Sequence, residues 1–189
     1  MASCGSWSQG AVLMGQYAEE LTKAMTWLGE QPDTFFLGQA VECKGTAMTG
    51  TLKGVPEDKK LELPVFEETQ MGMTTGLALA GFVPISIYPR WNFLLCATNQ
   101  LVNHIDKLCK MGPGFNRKII IRTGIGAERP IHPQHQHVGD FTEAFRLMCP
   151  NINIIRLEEP EDVVRSYQEA YASPDPTIVV EYGDYHGEK

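Results

Sequence analysis

Apolar residues recur along the chain with two alternating spacings. Residues 11–28 carry them at the spacing of a helix, and residues 34–38 (TFFLG) form the short apolar run of a buried strand that ends at a glycine. Further helices are predicted at 70–80, 94–111, about 141–148 and 160–172, and further strands at FVPISIY, KIIIRTG, INIIRLE and TIVVEYG. Strands that alternate with helices predict an α/β fold of three layers, a mostly parallel sheet with helices on both faces.

Two segments between these elements lack a clear period. Residues 42–60 are rich in Gly, Thr, Lys and Pro and are predicted to form one long polar loop, and residues 124–139 form a loop rich in Gly, Pro and His. Ligands of parallel sheets bind at the carboxyl ends of the strands. We therefore expect Glu67, the ends of the strands SIY and IIIRTG, and the histidine loop to gather at one edge.

Composition narrows the class of protein. The chain has 189 residues, 43% hydrophobic and 21% charged, which is typical of one soluble globular domain. A net charge of −7 argues against a nucleic-acid partner. No run approaches the ~20 apolar residues of a membrane span, and the first residues do not resemble a secretion signal. The cysteines are odd in number and widely spaced, which favours a reducing cytoplasm over a disulfide framework: Cys4, Cys43, Cys96, Cys109 and Cys149.

Two adjacent acids, Glu67 and Glu68, follow an apolar turn at residues 64–66. Such a pair is most often a solvated surface feature, because an unpaired glutamate is rarely buried. Apolar surroundings, however, would let a carboxyl group hold or release a proton near neutral pH. Gly72 and Gly76 lie four residues apart in the predicted helix that follows, each at a cost of roughly 1 kcal/mol relative to alanine. Two glycines on one face indicate that another backbone comes close.

Histidines and cysteines give weaker signals. The tract HPQHQH at 132–137 is compatible with a metal site, with a substrate-facing loop that handles protons or anions, or with a plain solvated loop. No second cluster of ligands completes a metal site, so we expect none in this chain. Cys96 and Cys109 occupy helical positions and are interpreted as packing residues rather than nucleophiles.

Several segments resemble, in order, the pyrimidine-binding domain of thiamine-diphosphate-dependent enzymes. The nearest likeness is to the beta subunit of the 2-oxoacid dehydrogenase decarboxylase component, and then to transketolase. LPVFEETQMGMTTGLALAGFVPI is similar to the family's T-P-I-[ST]-E, small-residue helix and A-G-x-x-P series. Further matches are TFFLGQAV, RWNFLLCATNQLVNHIDKL, IIIRTG and RLEEPEDVV, so the resemblance covers about residues 16–183.

The resemblance implies a cofactor and roles for named residues. Glu67 matches the glutamate that hydrogen-bonds a ring nitrogen of the aminopyrimidine of thiamine diphosphate and thereby activates the cofactor. Phe93 matches the aromatic residue that stacks on that ring, and Val65 matches an apolar residue that lines the same pocket. Either His135 or His137 matches a histidine that faces the substrate. Arg122 ends its strand near the same edge, although its role in the family can be structural.

Two positions depart from the family pattern. Gln39 stands where the beta subunits carry glutamate, which puts a proton relay through that position in doubt. Cys96 stands where the families place Gln or Tyr beside the pyrimidine.

The resemblance also implies an incomplete site. We expect residues 1–189 to form a single transketolase-like pyrimidine-binding domain, with the C-terminal transketolase domain and the diphosphate domain absent. Mg²⁺ and the diphosphate would then be held by a partner chain that carries a G-D-G…N motif, in a heterotetramer acting on a small keto substrate. The sequence thus predicts the pyrimidine subunit of a split thiamine-diphosphate enzyme for 2-oxo acid decarboxylation or ketol transfer. The alternative is a catalytically silent structural or regulatory subunit of such a complex.

Overall fold

A computed structural model describes residues 6–110, 112, 116–126 and 136–183, with side chains from residue 15 onward. The strands are β1 (Thr34–Gly38), β2 (Lys60–Glu62), β3 (Val83–Ile87), β4 (Ile120–Ile125), β5 (Asn153–Arg156) and β6 (Thr177–Tyr182). The helices are α1 (Ser6–Glu30), α2 (Ala47–Gly50), α3 (Glu67–Leu79), α4 (Trp91–Leu94), α5 (Thr98–Asn103), α6 (Thr142–Met148) and α7 (Pro160–Ala172). The strands form one parallel six-stranded sheet in the order β2-β1-β3-β4-β6-β5. The predicted α/β fold is confirmed.

Both faces of the sheet are covered by helices. Neighbouring strand residues contribute to different apolar clusters: Ile120 packs with α1 and α7, whereas Ile121 packs with α3 to α6. Side chains alternate between the faces of a strand, so each run of apolar residues in β4 and β6 supplies two cores. Pro84 lies in β3 one position before its pairing with β4 begins at Ile85, as expected of a proline near the start of a strand.

The segment 42–60 is not one polar loop, and that prediction is wrong. It contains α2 and a 3₁₀ turn at Glu57–Lys59, and it leads into the edge strand β2, which pairs with β1. Met48, Leu52 and Val55 are buried against α1 and β1. The segment packs on the rest of the domain through these three apolar side chains. Its composition is otherwise mostly polar, which led to the prediction of a loop.

The helix predicted at 94–111 is also interrupted. It breaks into α4 and α5, with 3₁₀ turns at Leu95–Ala97 and Ile105–Lys110. α5 ends at Asn103 and His104, two residue types of low helix propensity, where the second 3₁₀ turn begins. Asp106 is buried, and its carboxylate accepts a hydrogen bond of 2.8 Å from the backbone N–H of Asn151. This contact with the chain before β5 holds the turn in place.

No helix within the described ranges is long and apolar enough to cross a membrane.

Candidate functional site

Glu67 is the first residue of α3, just beyond the carboxyl end of β2. It is 9% exposed, and its backbone carbonyl accepts a hydrogen bond of 3.0 Å from Tyr88 Oη at the end of β3. Glu68 points the other way, is exposed, and accepts from Asn99 Nδ2 at 2.8 Å. A negative charge is favourable in the first turn of a helix because of the helix dipole. The exposures of the two adjacent acids differ: Glu67 is turned into the molecule, and Glu68 is turned towards solvent.

Tyr88 strengthens the link between α3 and β3. Its side chain is buried, and that burial raises the pKa of its hydroxyl above the ordinary value, with the nearby Glu67 charge acting in the same direction. The hydroxyl therefore stays protonated and remains a donor towards the Glu67 carbonyl at physiological pH.

Phe93 and His137 meet at the same edge of the sheet. Phe93 lies in α4 after β3, and His137 follows β4 along the chain; their ring centroids are 5.1 Å apart with the planes tilted by 31°. His137 has a backbone φ of 63°, a left-handed conformation that is uncommon for a residue other than glycine. Its Nδ1 is buried and has no hydrogen-bond partner in the described part of the chain. His135, the other candidate, lies outside the described residues.

Val65 and Phe66 do not enclose the carboxyl group of Glu67. Their exposed fractions are 67% and 64%, so the apolar surroundings expected from the sequence are not completed within the described chain. The surface of α3 at Gly72 and Gly76 is also uncovered: a Cβ built on either glycine meets nothing within 4 Å. The close backbone approach expected at these glycines is absent from the described ranges.

The cysteine predictions are only partly met. Cys96 is exposed rather than packed, and Cys109 is half-buried with its Sγ 3.5 Å from the Asp106 carbonyl. Cys96 lies in the 3₁₀ turn at Leu95–Ala97, where three residues per turn replace 3.6 and rotate the side chain away from the buried face of a regular helix.

A cluster of uncharged polar groups lies beneath Glu67, and the sequence reasoning missed it. Gln70 Nε2 donates to the Ile87 carbonyl at 2.9 Å and to Ser86 Oγ at 3.1 Å, while Thr74 Oγ1 is 2.8 Å from Ser86 Oγ. Gln39 follows β1, and its backbone N–H donates to the same Ile87 carbonyl at 3.2 Å. Polar residues three and seven positions after Glu67 share its helix face, and this pattern is the signal that could have revealed the cluster.

Arg122 lies on the other face of the sheet from α3. Its Nε and Nη2 donate to the Glu181 carboxylate at 2.6 and 3.0 Å, and both side chains are fully buried. Burial opposes the charge, but the Glu181 carboxylate outweighs it and raises the pKa of Arg122. Arg122 therefore belongs to the packing of α1 and α7 and not to the Glu67 corner.

No group of three or more His, Cys, Asp or Glu side chains suited to a metal occurs among the described residues, and positions 132–135 of the histidine tract lie outside them.

These features define an α/β domain in which a glutamate of low exposure and a pair of aromatic rings lie at the carboxyl edge of a parallel sheet. The chain belongs to the family described as transketolase, pyrimidine binding domain, whose profile matches residues 16–182. The resemblance drawn from the sequence is thereby confirmed.

Curated relatives are beta subunits of 2-oxo acid dehydrogenases. The chain is 26% identical over 158 residues to the mitochondrial pyruvate dehydrogenase E1 component subunit beta of Drosophila melanogaster, covering 82% of this chain and 42% of that protein. It is 29% identical over 136 residues to a 3-methyl-2-oxobutanoate dehydrogenase subunit beta of Mycobacterium tuberculosis, covering 69% of this chain and 37% of that protein. The chain thus spans less than half the length of these relatives.

Solved structures show the same fold. A split gene transketolase, described as an inactive beta4 tetramer, superposes with a TM-score of 0.68 at 20% identity, covering 88% of this chain and 51% of that chain. The transketolase of Campylobacter jejuni superposes with a TM-score of 0.67 at 15% identity, covering 88% of this chain and 25% of that chain.

Proposed function

We propose that this chain is the pyrimidine-binding subunit of a split thiamine-diphosphate-dependent enzyme that acts on a 2-oxo acid or a ketose. The observation that carries the proposal is Glu67, which the sequence resemblance matches to the family's glutamate and which is 9% exposed at the carboxyl edge of the sheet. The described relatives that are beta subunits, and the split gene transketolase, support a division of the site between two chains.

The residues present fit an aminopyrimidine. The Glu67 carboxyl group can share a proton with a ring nitrogen, the Phe93 ring can stack on the heterocycle, and the amides of Gln39 and Gln70 supply uncharged polar neighbours. When bound, thiamine diphosphate supplies a carbon nucleophile and an electron sink for carbonyl substrates. In this proposal Glu67 holds the proton at the ring nitrogen and Phe93 stacks on the ring. Val65 and Cys96 line the open side of the site.

His137 is the candidate for handling protons on the substrate. Its contact with Phe93 supports a place at the same edge, and its unpartnered Nδ1 offers a hydrogen bond to an incoming group. His135 remains the alternative, since it lies two residues earlier in the same loop.

The second half of the site would come from a partner chain. We infer that this partner carries a G-D-G…N motif, holds Mg²⁺ and the diphosphate, and assembles with this chain as a heterotetramer. The exposed Val65 and Phe66, together with the open glycines of α3, support a contact that a second chain would cover. The free cysteines at the described positions 43, 96, 109 and 149 support the cytoplasm as the proposed location.

A second candidate function is a catalytically silent or regulatory subunit of the same kind of complex. The observation that favours it is the uncharged Gln39 at the position where the beta subunits carry glutamate. Glu67 and Phe93 argue against it, because an interface alone requires neither a buried acid nor a stacking ring.

Two measurements test the proposal. Calorimetry with thiamine diphosphate and Mg²⁺ is expected to detect binding when this chain is mixed with its partner, and little or none with this chain alone. In the complex, Glu67→Gln is expected to abolish turnover with assembly intact, whereas Glu68→Gln, the matched change one residue away, keeps turnover. Turnover of Glu67→Gln at the wild-type rate would refute the catalytic role. Association without any cofactor binding would favour the silent subunit.

A further inference from the structure

The polar cluster beneath Glu67 occupies a position where a helix normally buries apolar side chains. Gln70 and Thr74 are 1% and 0% exposed and lie on the face of α3 that packs on the sheet. Burying an amide or a hydroxyl group is unfavourable unless its polar atoms find partners. The hydrogen bonds of this cluster therefore show which elements of the fold it connects.

Gln70 ties the first turn of α3 to the end of β3. Its Nε2 donates to the Ile87 carbonyl and to Ser86 Oγ. A carbonyl oxygen can only accept, so the amide nitrogen must face β3 and Oε1 must face away from that carbonyl. Gln70 lies one turn beyond Glu67, so this bond fixes the part of the helix that carries the acid.

The end of β1 lies directly against the Gln70 amide. Gly38 has a φ of +136°, and a Cβ at this position would come to 2.3 Å from the Ile87 carbonyl oxygen and 2.5 Å from Gln70 Nε2. Only glycine allows this approach. The Ile87 carbonyl thereby receives two hydrogen bonds, one from the Gln39 backbone and one from the Gln70 side chain.

Each of the two glutamines retains one open polar atom. Gln70 Oε1 and Gln39 Nε2 are buried and have no hydrogen-bond partner among the described residues. The residues themselves are 1% and 8% exposed. One atom accepts and the other donates, so the two complement a ligand that carries both kinds of group.

We propose that Gln39 and Gln70 form an amide corner beside Glu67 whose hydrogen bonds are completed by a neutral heterocycle with donor and acceptor nitrogens. In this corner Gln70 is a positioning residue that holds the first turn of α3, and Gln39 is a ligand-side donor. The identification of the heterocycle as an aminopyrimidine rests on the proposed function, whereas the positioning of Glu67 does not.

The positioning role is tested on the full chain without any ligand. Gln70→Met keeps the side-chain length and removes the hydrogen bonds, so amide hydrogen exchange at residues 70 and 71 is expected to become about tenfold faster. Thr22→Val in α1 is the control, because it also removes a side-chain hydrogen bond within a helix, to the Ala18 carbonyl at 2.9 Å, on the opposite face of the sheet from α3. It is expected to leave exchange at residues 70 and 71 within about twofold of wild type. Equal exchange in Gln70→Met and wild type would overturn the positioning role.

The ligand role is tested with the pyrimidine half of thiamine, an aminopyrimidine carrying a hydroxymethyl group, observed by NMR in the presence of the assembled complex with the partner chain. Gln39→Met is expected to weaken its binding about tenfold without changing exchange in α3, since Gln39 Nε2 bonds nothing else there. Gln70→Met is expected to weaken binding and to accelerate exchange together.

The outcomes separate the two proposals. If the probe binds and Glu67→Gln weakens it, but both glutamine variants bind as wild type does, the amide corner is refuted and the proposed function stands. If Glu67→Gln changes neither the binding of the probe nor the binding of thiamine diphosphate to the complex, the proposed function and the ligand role both fail. The exchange measurement still decides the positioning role in that case.

Discussion

Two inward-facing glutamates show opposite ways of placing an acid inside this fold. Glu181 is fully buried and accepts hydrogen bonds from Arg122 and from the Tyr167 hydroxyl, all within the chain. Glu67 is 9% exposed and is fixed through its backbone carbonyl, while Val65 and Phe66 beside it stay open to solvent. Glu181 is enclosed by side chains of its own chain, whereas Glu67 lies at an edge that the described residues leave uncovered.

Under the proposed function, this difference separates a structural charge from a catalytic one. A buried acid with a complete set of partners contributes to packing and leaves nothing for a ligand to bind. In the proposed function, an acid of low exposure whose apolar neighbours stay open to solvent is available to a ligand or a partner chain. Variants of the two regions should therefore differ in what they damage.

The largest effect is expected at the closed acid. Arg122→Met leaves the Glu181 carboxylate buried without its cation and should lower the free energy of unfolding by about 3–5 kcal/mol, measured in urea. The double variant Arg122→Met with Glu181→Leu removes both charges and should recover most of that loss. A single variant as stable as wild type would erase the distinction between the two regions.

A second closed acid should respond to pH. Burial opposes the charge of Asp106, but hydrogen bonds from Lys107 and Asn151 outweigh it and lower the pKa of Asp106. A lowered pKa stabilises the fold above the ordinary aspartate value of about 3.9, and this stability is lost as pH falls through the folded value. Asp106→Asn should cost about 1–3 kcal/mol at pH 7 and less in acid, measured by denaturation from pH 7 to 3. If the free energy of unfolding fell equally with pH for the variant and the wild type between pH 7 and 3, this prediction would be contradicted.

The open side is expected to tolerate change in the isolated chain. Gly72→Ala should raise the stability of this chain by about 1 kcal/mol, because the added Cβ meets nothing and the helix gains propensity. Gly72→Leu should leave the chain folded but reduce assembly with the partner, measured by sedimentation. Gly15→Ala in α1, where a Cβ also meets nothing, serves as the control that leaves assembly unchanged. A complex of normal size with Gly72→Leu would remove α3 from the proposed interface.

The smallest change in stability is expected at Phe66. Phe66→Ser should alter the free energy of unfolding by less than about 0.5 kcal/mol, since the side chain is 64% exposed. The same variant should weaken cofactor binding in the complex, measured by calorimetry. Leu147→Ser removes a side chain that is 86% exposed in α6 and should weaken neither property.

Long periodic segments were predictable from the sequence, and contacts between distant segments were not. The strand at Thr34–Gly38 and the helix at Pro160–Ala172 have the predicted bounds, because their apolar patterns and flanking residues agree. The short strand β2 has only three residues, and its pairing with β1 cannot be inferred from the polarity or strand propensity of those residues. Tertiary contacts decide such elements.

The candidate site divides in the same way. Glu67, Phe93 and either His135 or His137 were predicted from the ordered resemblance to a family and not from composition. The exposure of Cys96 depends on a 3₁₀ turn, and the amide corner depends on the approach of β1 to α3 across the Ile87 carbonyl. The helical spacing of Gln70 and Thr74 after Glu67 could have indicated a polar helix face, but the 3₁₀ turn and the approach of Gln39 have no local pattern in the sequence.

The hydroxyl of Tyr17 has a consequence for how the chain is made. It donates to the Leu157 carbonyl at 2.9 Å and accepts from the Tyr182 backbone at 3.2 Å, across 140 and 165 residues of sequence. On the ribosome, α1 therefore emerges long before the segments that it must join. Closure of this layer has to await residue 182, and until then the apolar face of α1 is left for chaperones or for the rest of the nascent chain to shield.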